Sequence, residues 1–532
     1  MEDEINSLNM NKTWTVVDVA SIPYGRRIIR CKWVWKIKRD ELGQIARYKS
    51  RLVACGNAQE AGIDFQETFA PVGRKESLRL LLAWACLRKW ISRQVDVDTA
   101  FLYGKLDEEI YMHMPRGFSQ GPQSVCKLHK SIYGLKQAPR IWYYTLIAAL
   151  KEIGFQSSCH EPCLLVKTGI MVYIYVDDML IIAEDSTLAD EVVLQLQSKF
   201  KIKDLGRPTY LLRHHVIYET DGSIMLSQVN SIEELAEKFG FESSKPTSVP
   251  MSPGIILKSF DPYTDKPAEK EKYQSLLGSL QYIAQCTRPD IAYAVSVLSQ
   301  FCQHPSICHW NQAKKVLVYL YHSRNLLLKF NSKGGKATEP ILQGYSDSDY
   351  AACPDSRRSR TGYVFMLGNS VISWKSSKQK RISTSTCEAE YYALSEAGKE
   401  GIHLNALLTE IEKNVGRFTV GSASSVTISL HLLWPRILLH TIRQSTSTSL
   451  TAGFKSLWSS KNSVLTMYQQ RTMLLTSLPR PSRSHNLRSS GICWVCVSTK
   501  GEALGYVDEE DFPVDTSSSF RARRGHDGSA WP

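Results

Sequence analysis

Tyr175-Val176-Asp177-Asp178 interrupts an apolar stretch, with Ile170-Met171-Val172-Tyr173-Ile174 before it and Met179-Leu180-Ile181-Ile182 after. Ionised Asp is almost never buried unless it is paired or holds a metal. Each flank is short and rich in β-formers, and the two acids lie where a tight hairpin would turn. Such a ribbon would present both carboxylates at a rigid tip, as a metal-dependent site requires. A solvated hairpin turn is the alternative reading of the tetrapeptide alone. A second acidic strand end decides the matter, and Gln94-Val95-Asp96-Val97-Asp98-Thr99 supplies one, with Asp96 among apolar neighbours. A two-metal phosphoryl-transfer site needs carboxylates from separate strands, converging on ions about 3.5–4 Å apart. One Asp from this segment and the two from the hairpin would supply that.

A chain of 532 residues exceeds one core, so roughly three or four domains are expected. The net charge of +13, from 65 Lys+Arg against 52 Asp+Glu, suits a polyanionic partner without proving one. The excess is concentrated between Arg26 and Arg51, where ten Lys/Arg interleave with Trp33, Trp35 and Tyr48. That mixture suits phosphate contacts and base stacking, although a solvated basic face over a Trp stripe would read the same. The 13 cysteines show no disulfide-framework spacing, as in a reducing compartment. Cys493-Trp494-Val495-Cys496 is a lone CxxC, short of the four ligands zinc takes. No apolar run approaches the roughly 18 residues of a membrane span, so no membrane partner is expected.

Further blocks surround the acids. Lys49-Ser50-Arg51-Leu52-Val53-Ala54 precedes Gly62-Ile63-Asp64-Phe65-Gln66-Glu67-Thr68-Phe69-Ala70-Pro71-Val72. Glu108-Glu109-Ile110-Tyr111-Met112 and Ser131-Ile132-Tyr133-Gly134-Leu135-Lys136-Gln137-Ala138-Pro139-Arg140 then lie between Asp96 and the Asp177-Asp178 pair. In kind and order these resemble the Pol polyprotein of copia-type LTR retrotransposons, in its reverse transcriptase and ribonuclease H portion. The resemblance covers residues 11–412. It implies an α+β right-hand polymerase (fingers, palm, thumb), followed by a ribonuclease H-like α/β domain that is incomplete at its C-terminal end. The expected organisation is a polar entry helix and linker over 1–22 and reverse transcriptase over 23–250. A helical connection over 251–339, a partial ribonuclease H-like domain over 340–412 and an unrelated tail over 413–532 complete it. Helices are expected over Ser77 to Trp90, Ile141 to Ile153, Ala189 to Phe200, Ile232 to Phe239, Glu271 to Gln285, Asp290 to Cys302 and Trp310 to His322.

The resemblance also implies the chemistry: an RNA-directed DNA polymerase adding dNTPs to a primer on an RNA or DNA template, with an RNA–DNA hybrid as product. Asp96, Asp177 and Asp178 would hold two Mg2+ ions, Mn2+ being the alternative. Phe101 would gate the ribose 2′-hydroxyl, although a core Phe at a strand end fits the spacing equally. Lys49 and Arg51, two apart on a strand, share a face and would grip the triphosphate. Gln137 would line the nucleotide pocket, with Lys136 at template backbone or solvent. Element particles in the cytoplasm, or the nucleus, would be the setting. Some positions depart from the family. Asp98 stands for a usual Lys or Asn, Tyr103 for Asn, Cys55 for Lys, and Arg213-His214-His215 interrupts a stretch that reads Leu-Gly before an alternating strand. These mark a drifted copy, so an inactive relic that only binds nucleic acid is the alternative reading.

Gly344-Tyr345-Ser346-Asp347-Ser348-Asp349 and Cys387-Glu388-Ala389-Glu390 resemble the same family's ribonuclease H, which implies Asp347 and Glu390 as metal ligands. Arg360 to Phe365 and Ile372 to Trp374 would be strands of its sheet. From Lys413 through Gly501 there is no Asp or Glu, so the remaining acids of a two-metal nuclease are missing. The family's Thr-Lys-His-Ile-Asp-Ile, read one nucleotide late, can give Gln444 to Ser449. Its Lys-Asp-Asn-Val-Ala-Asp-Ile can give Arg471 to Ser477 in the same frame. A frameshift between Glu412 and Ser429 is the expected cause, leaving a poorly ordered tail and an impaired nuclease.

Overall fold

The structure is a computed structural model describing residues 1–39, 45–118, 121, 123–241, 244–332 and 342–415, with three later strands, Val426–Leu432, Val464–Arg471 and Gly491–Ser498. The chain divides into two compact units, 1–428 and 429–532. In the second, Val464–Arg471 pairs antiparallel with Gly491–Ser498. Apart from those strands, the expectation of a frameshifted, poorly ordered tail over 413–532 falls outside the described residues.

The first unit is mixed α+β. Both acidic strand ends belong to one six-stranded antiparallel sheet, ordered Ile202–Gly206, Ile91–Val97, Asp178–Ala183, Ile170–Tyr175, Leu164–Lys167, Gln156–Ser157. Ile170 to Ile174 and Met179 to Ala183 are at most 2% exposed. Covered on both faces, these strands read as continuous apolar runs rather than as alternation. Helix Ser186–Gln197 packs on Asp178–Ala183 and Ile91–Val97. It starts a turn before the expected Ala189, because the Asp185 carboxylate caps it by accepting the Leu188 N–H at 3.0 Å.

Other boundaries move for similar reasons. Helix Lys75–Arg88 is buried without a break from Ser77 to Cys86, so its surroundings on every side, not amphipathicity, define it. The expected 290–302 helix is three pieces: the 3-10 turns Pro289–Ile291 and Ser299–Phe301 flank a short α-helix, Ala292–Leu298. Ile307–His322 begins before Trp310 because Ser306 and His309 cap it reciprocally. Residues 1–22 hold the expected helix and also a strand. Helix Glu2–Met10 buries Ile5 and Leu8 in a core shared with Leu52, Leu102 and Met112, and Trp14–Asp18 pairs with Ser124–Lys130.

Cys31–Arg39 and Ile45–Ala54 form a two-stranded ribbon. Leu342–Asp349, Arg360–Leu367 and Ser370–Lys378 make an antiparallel meander, so both expected strands are present, and helix Thr386–Val415 lies against it. Among the described residues no helix is long and apolar enough to cross a membrane.

Candidate active site

Asp178 sits directly opposite Asp96 in the register of the two strands. Tyr175 pairs with Asp178 across the hairpin, leaving Val176 and Asp177 as a two-residue turn. The Asp177 carbonyl accepts the Val97 N–H at 3.2 Å, tying the turn to the Asp96 strand. The fold therefore brings the three acids together, although they lie up to 82 positions apart in sequence. Val176 has φ +61°. A β-branched residue in the left-handed region is strained by about 1–2 kcal/mol, so something must hold it. The Trp142 indole N–H donates to the Val176 carbonyl at 2.7 Å, from helix Ala138–Glu152.

Burial, followed by the charge of Asp177, raises the carboxyls of Asp96 and Asp178. Lys203, paired opposite Asp96 on its other side, pulls the Asp96 value back, and the Gln94 amide does the same for Asp178 from 3.4 Å. Among the described residues no group of three or more His, Cys, Asp or Glu side chains is placed so that it could hold a metal ion as it stands. Asp96, Asp177 and Asp178 are mutually repelling hard oxygen donors at the adjoining ends of two neighbouring strands. Carboxylates of this kind suit a hard divalent cation that keeps several of its own water ligands.

Phe101 lies in the short 3-10 turn after Asp96 and meets the Tyr133 ring edge-on, centroids 4.8 Å apart. The Arg51 guanidinium lies 4.6 Å from the centre of that same ring. Lys49 adds a favourable charge at Asp96. Tyr133 thus joins Phe101 and Arg51 beside the acids. Gln137 is among the residues lining an open cleft, from a buried position. It is 2% exposed, donates to the Asp64 carbonyl at 2.8 Å and to Glu108 at 3.3 Å, and accepts from Gln59 at 3.0 Å. Its amide holds loops together and is not presented free. Lys136 is exposed, and its ammonium donates to the Gln59 carbonyl at 3.2 Å. An open cleft of about 1000 Å³ runs past Tyr103, Lys105, Gln137, Arg140 and Tyr144.

A second acidic pair stands apart from the first. Glu390, on helix Thr386–Val415, is 8% exposed, and its carboxyl is pushed up to about 8 by burial and then by Asp347. The charge of one expected ligand, Asp347, therefore acts on the other, Glu390. Glu388 points elsewhere, accepting from the Thr384 N–H and hydroxyl at 2.6 and 2.8 Å.

Residues 11–253 match the reverse transcriptase (RNA-dependent DNA polymerase) family. The chain is 40% identical over 442 residues to the Retrovirus-related Pol polyprotein from transposon TNT 1-94 of Nicotiana tabacum, covering 81% of this chain and 33% of that one. It is 39% identical over 417 residues to the corresponding polyprotein from transposon RE1 of Arabidopsis thaliana, covering 77% and 28%. A Putative transposon Ty5-1 protein of Saccharomyces cerevisiae is covered over 100% of its length at 34% identity, with 58% of this chain. The chain belongs to the copia-type retrotransposon Pol polyproteins. It spans about a third, or less, of the two plant polyproteins.

Within this copia-type chain the fold absorbs several departures. Asp98 ion-pairs with Lys203, so its added charge is compensated locally. Tyr103 accepts the Lys201 N–H at 2.7 Å and stacks edge-on against Phe200. Cys55 is held through its backbone, donating to the Arg30 carbonyl at 2.8 Å. Arg213 is not absorbed so easily. It stands in a two-residue turn, between Tyr210–Leu211 and His214–Tyr218, with Leu212 at φ +48° and Arg213 at +65°. Sequence reasoning gave no role to Trp142, Tyr133 or Lys203. Tyr133 lies inside a recognised block, while Lys203 carries no local signal and is placed by strand pairing alone.

Proposed function

We propose that this chain is an RNA-directed DNA polymerase that extends a primer 3′-hydroxyl with dNTPs on an RNA or DNA template. The observation that carries the reading is the register of Asp178 opposite Asp96, with Asp177 in the adjoining turn. Asp96, Asp177 and Asp178 would hold two divalent cations, Mg2+ or Mn2+, which lower the pKa of an attacking hydroxyl and stabilise leaving pyrophosphate. Lys49 and Arg51 would take the triphosphate by charge and hydrogen bonds. The Phe101 ring, braced on Tyr133, would fill the space into which a ribose 2′-hydroxyl projects. Gln137 would shape the pocket by fixing its loops.

In this reading, residues 23–250 act as fingers, palm and thumb, 251–339 as connection, and 340–412 as a ribonuclease H-like domain. Asp347 and Glu390 would be its metal ligands, but no Asp or Glu follows in Lys413 through Gly501. Nuclease activity on an RNA–DNA hybrid should accordingly be impaired. Primer extension on poly(rA)·oligo(dT) with Mg2+ tests the polymerase. Active wild type with an Asp177→Asn variant slowed at least a hundredfold supports it. Wild type that binds primer–template but never extends it identifies a nucleic-acid-binding relic.

A further inference from the structure

We propose that Trp142 is a positioning residue that holds the Val176-Asp177 turn, and through it the acidic cluster, in its working orientation. The inference rests on the polymerase reading and adds to it a residue outside the carboxylate set. Three observations converge on it. Val176 occupies a conformation that its β-branched side chain disfavours, φ +61°. The turn's carbonyl at that residue receives a single directed donor, the Trp142 indole, at 2.7 Å. The indole itself cannot swing, being 1% exposed and packed against Phe200 and Tyr103 with centroids 5.4 and 6.1 Å away.

The same aromatic cluster reaches the other side of the site. Tyr103 accepts the Lys201 N–H at 2.7 Å, and the Lys201 carbonyl accepts the Asp98 N–H at 2.9 Å. One buried group of rings thus fixes the hairpin turn on one flank and the end of the Asp96 strand on the other. Asp177 follows Val176 directly, so a rotation of the Val176 peptide redirects its carboxylate. Groups that act on charge in a transition state must be held before the reaction.

The test is a rescue. Trp142→Phe keeps a buried ring and removes the N–H. Val176→Gly removes the steric reason for the support, since Gly adopts positive φ freely. Steady-state extension is measured with thermal unfolding, and Mn2+ affinity is measured by calorimetry, which needs no turnover. Trp142→Phe should lower kcat at least tenfold with KM for dTTP within twofold, and weaken Mn2+ binding at least threefold. In the Val176→Gly background the same change should cost less than threefold in both. Trp142→Phe with wild-type kcat and Mn2+ affinity overturns the proposal. So does an equal loss in the Val176→Gly background, or a defect confined to KM. A wild-type protein without extension refutes the polymerase reading instead, and the Mn2+ comparison still tests the positioning role.

Discussion

The Arg79 guanidinium lies 3.9 Å from the centre of the Trp374 ring and is 2% exposed. Its Nε donates to the Ile372 carbonyl at 2.6 Å, Nη1 to the Gln285 and Cys286 carbonyls at 2.6 and 3.0 Å, and Nη2 to Glu76 at 3.3 Å. One side chain therefore joins the helix before the Asp96 strand, the end of helix Lys270–Cys286 and the meander strand Ser370–Lys378. Lys cannot reproduce a planar fork that serves three directions and stacks on an indole. Both Arg79→Leu and Arg79→Lys should destabilise the protein by about 3 kcal/mol, chiefly through buried carbonyls left without their donor. Urea unfolding checks this; a loss under about 1 kcal/mol would show that Arg79 is not such a hub.

Arg213 is exposed and held at φ +65°. An L-residue there is strained by about 1–2 kcal/mol, whereas Gly gives back roughly 0.5–1 kcal/mol in unfolded-chain entropy. The strain is the larger, so Arg213→Gly should stabilise by about 0.5–1 kcal/mol. A higher urea midpoint at unchanged slope is the expected result, and a lower midpoint counts against the strained turn.

His214 is buried in that hairpin, Nδ1 3.1 Å from the Leu211 carbonyl and its ring stacked on Tyr282 at 6.1 Å. Burial pulls it from 6.5 down to about 4, with Lys75 and Arg79 adding to the effect. A histidine depressed in the fold binds its proton more readily when unfolded. Its contribution is complete above pH 6.5 and is lost as pH falls toward 4. On the order of 2–3 kcal/mol is at stake. His214→Phe keeps the stack and should flatten the stability loss between pH 6.5 and 4; an unchanged slope assigns the acid sensitivity elsewhere.

Phe101 makes its case through Tyr133, which fixes the ring edge-on at 4.8 Å. Phe101→Ala should lower the preference for dNTP over rNTP at least tenfold while dNTP extension falls less. Competition assays with dTTP and UTP decide it. Discrimination that survives the change makes Phe101 a core residue, as its spacing alone equally allowed.

The acids were legible in the sequence because charge inside an apolar run is costly and needs a reason. The strand pair around them was legible too, since covered strands show as unbroken apolar runs. What stayed hidden was set by long-range pairing. Trp142 reaches Val176 across 34 positions, and Lys203 meets Asp96 only because strand Ile202–Gly206 joins that edge of the sheet. Helix starts shifted where a cap such as Asp185 outweighed the apolar period. Gln137 lies in a recognisable block, yet only the structure shows its amide committed to Gln59, Asp64 and Glu108.

Lys203 carries the last prediction. It ion-pairs with Asp98 and lowers the raised Asp96 carboxyl, which burial and Asp177 push the other way. Lys203→Ala leaves Asp98 as an uncompensated negative neighbour and removes that pull, so Asp96 should take up its proton at higher pH. If ionised Asp96 is needed for turnover, the acid limb of the kcat profile moves upward, by roughly half to one pH unit for an exposed partner. Asp98→Asn in the same chain removes the added charge and should return part of the shift. The comparison separates an electrostatic role from a structural one, because a strand merely loosened at Lys203 would lose kcat at every pH and gain nothing from Asn at 98.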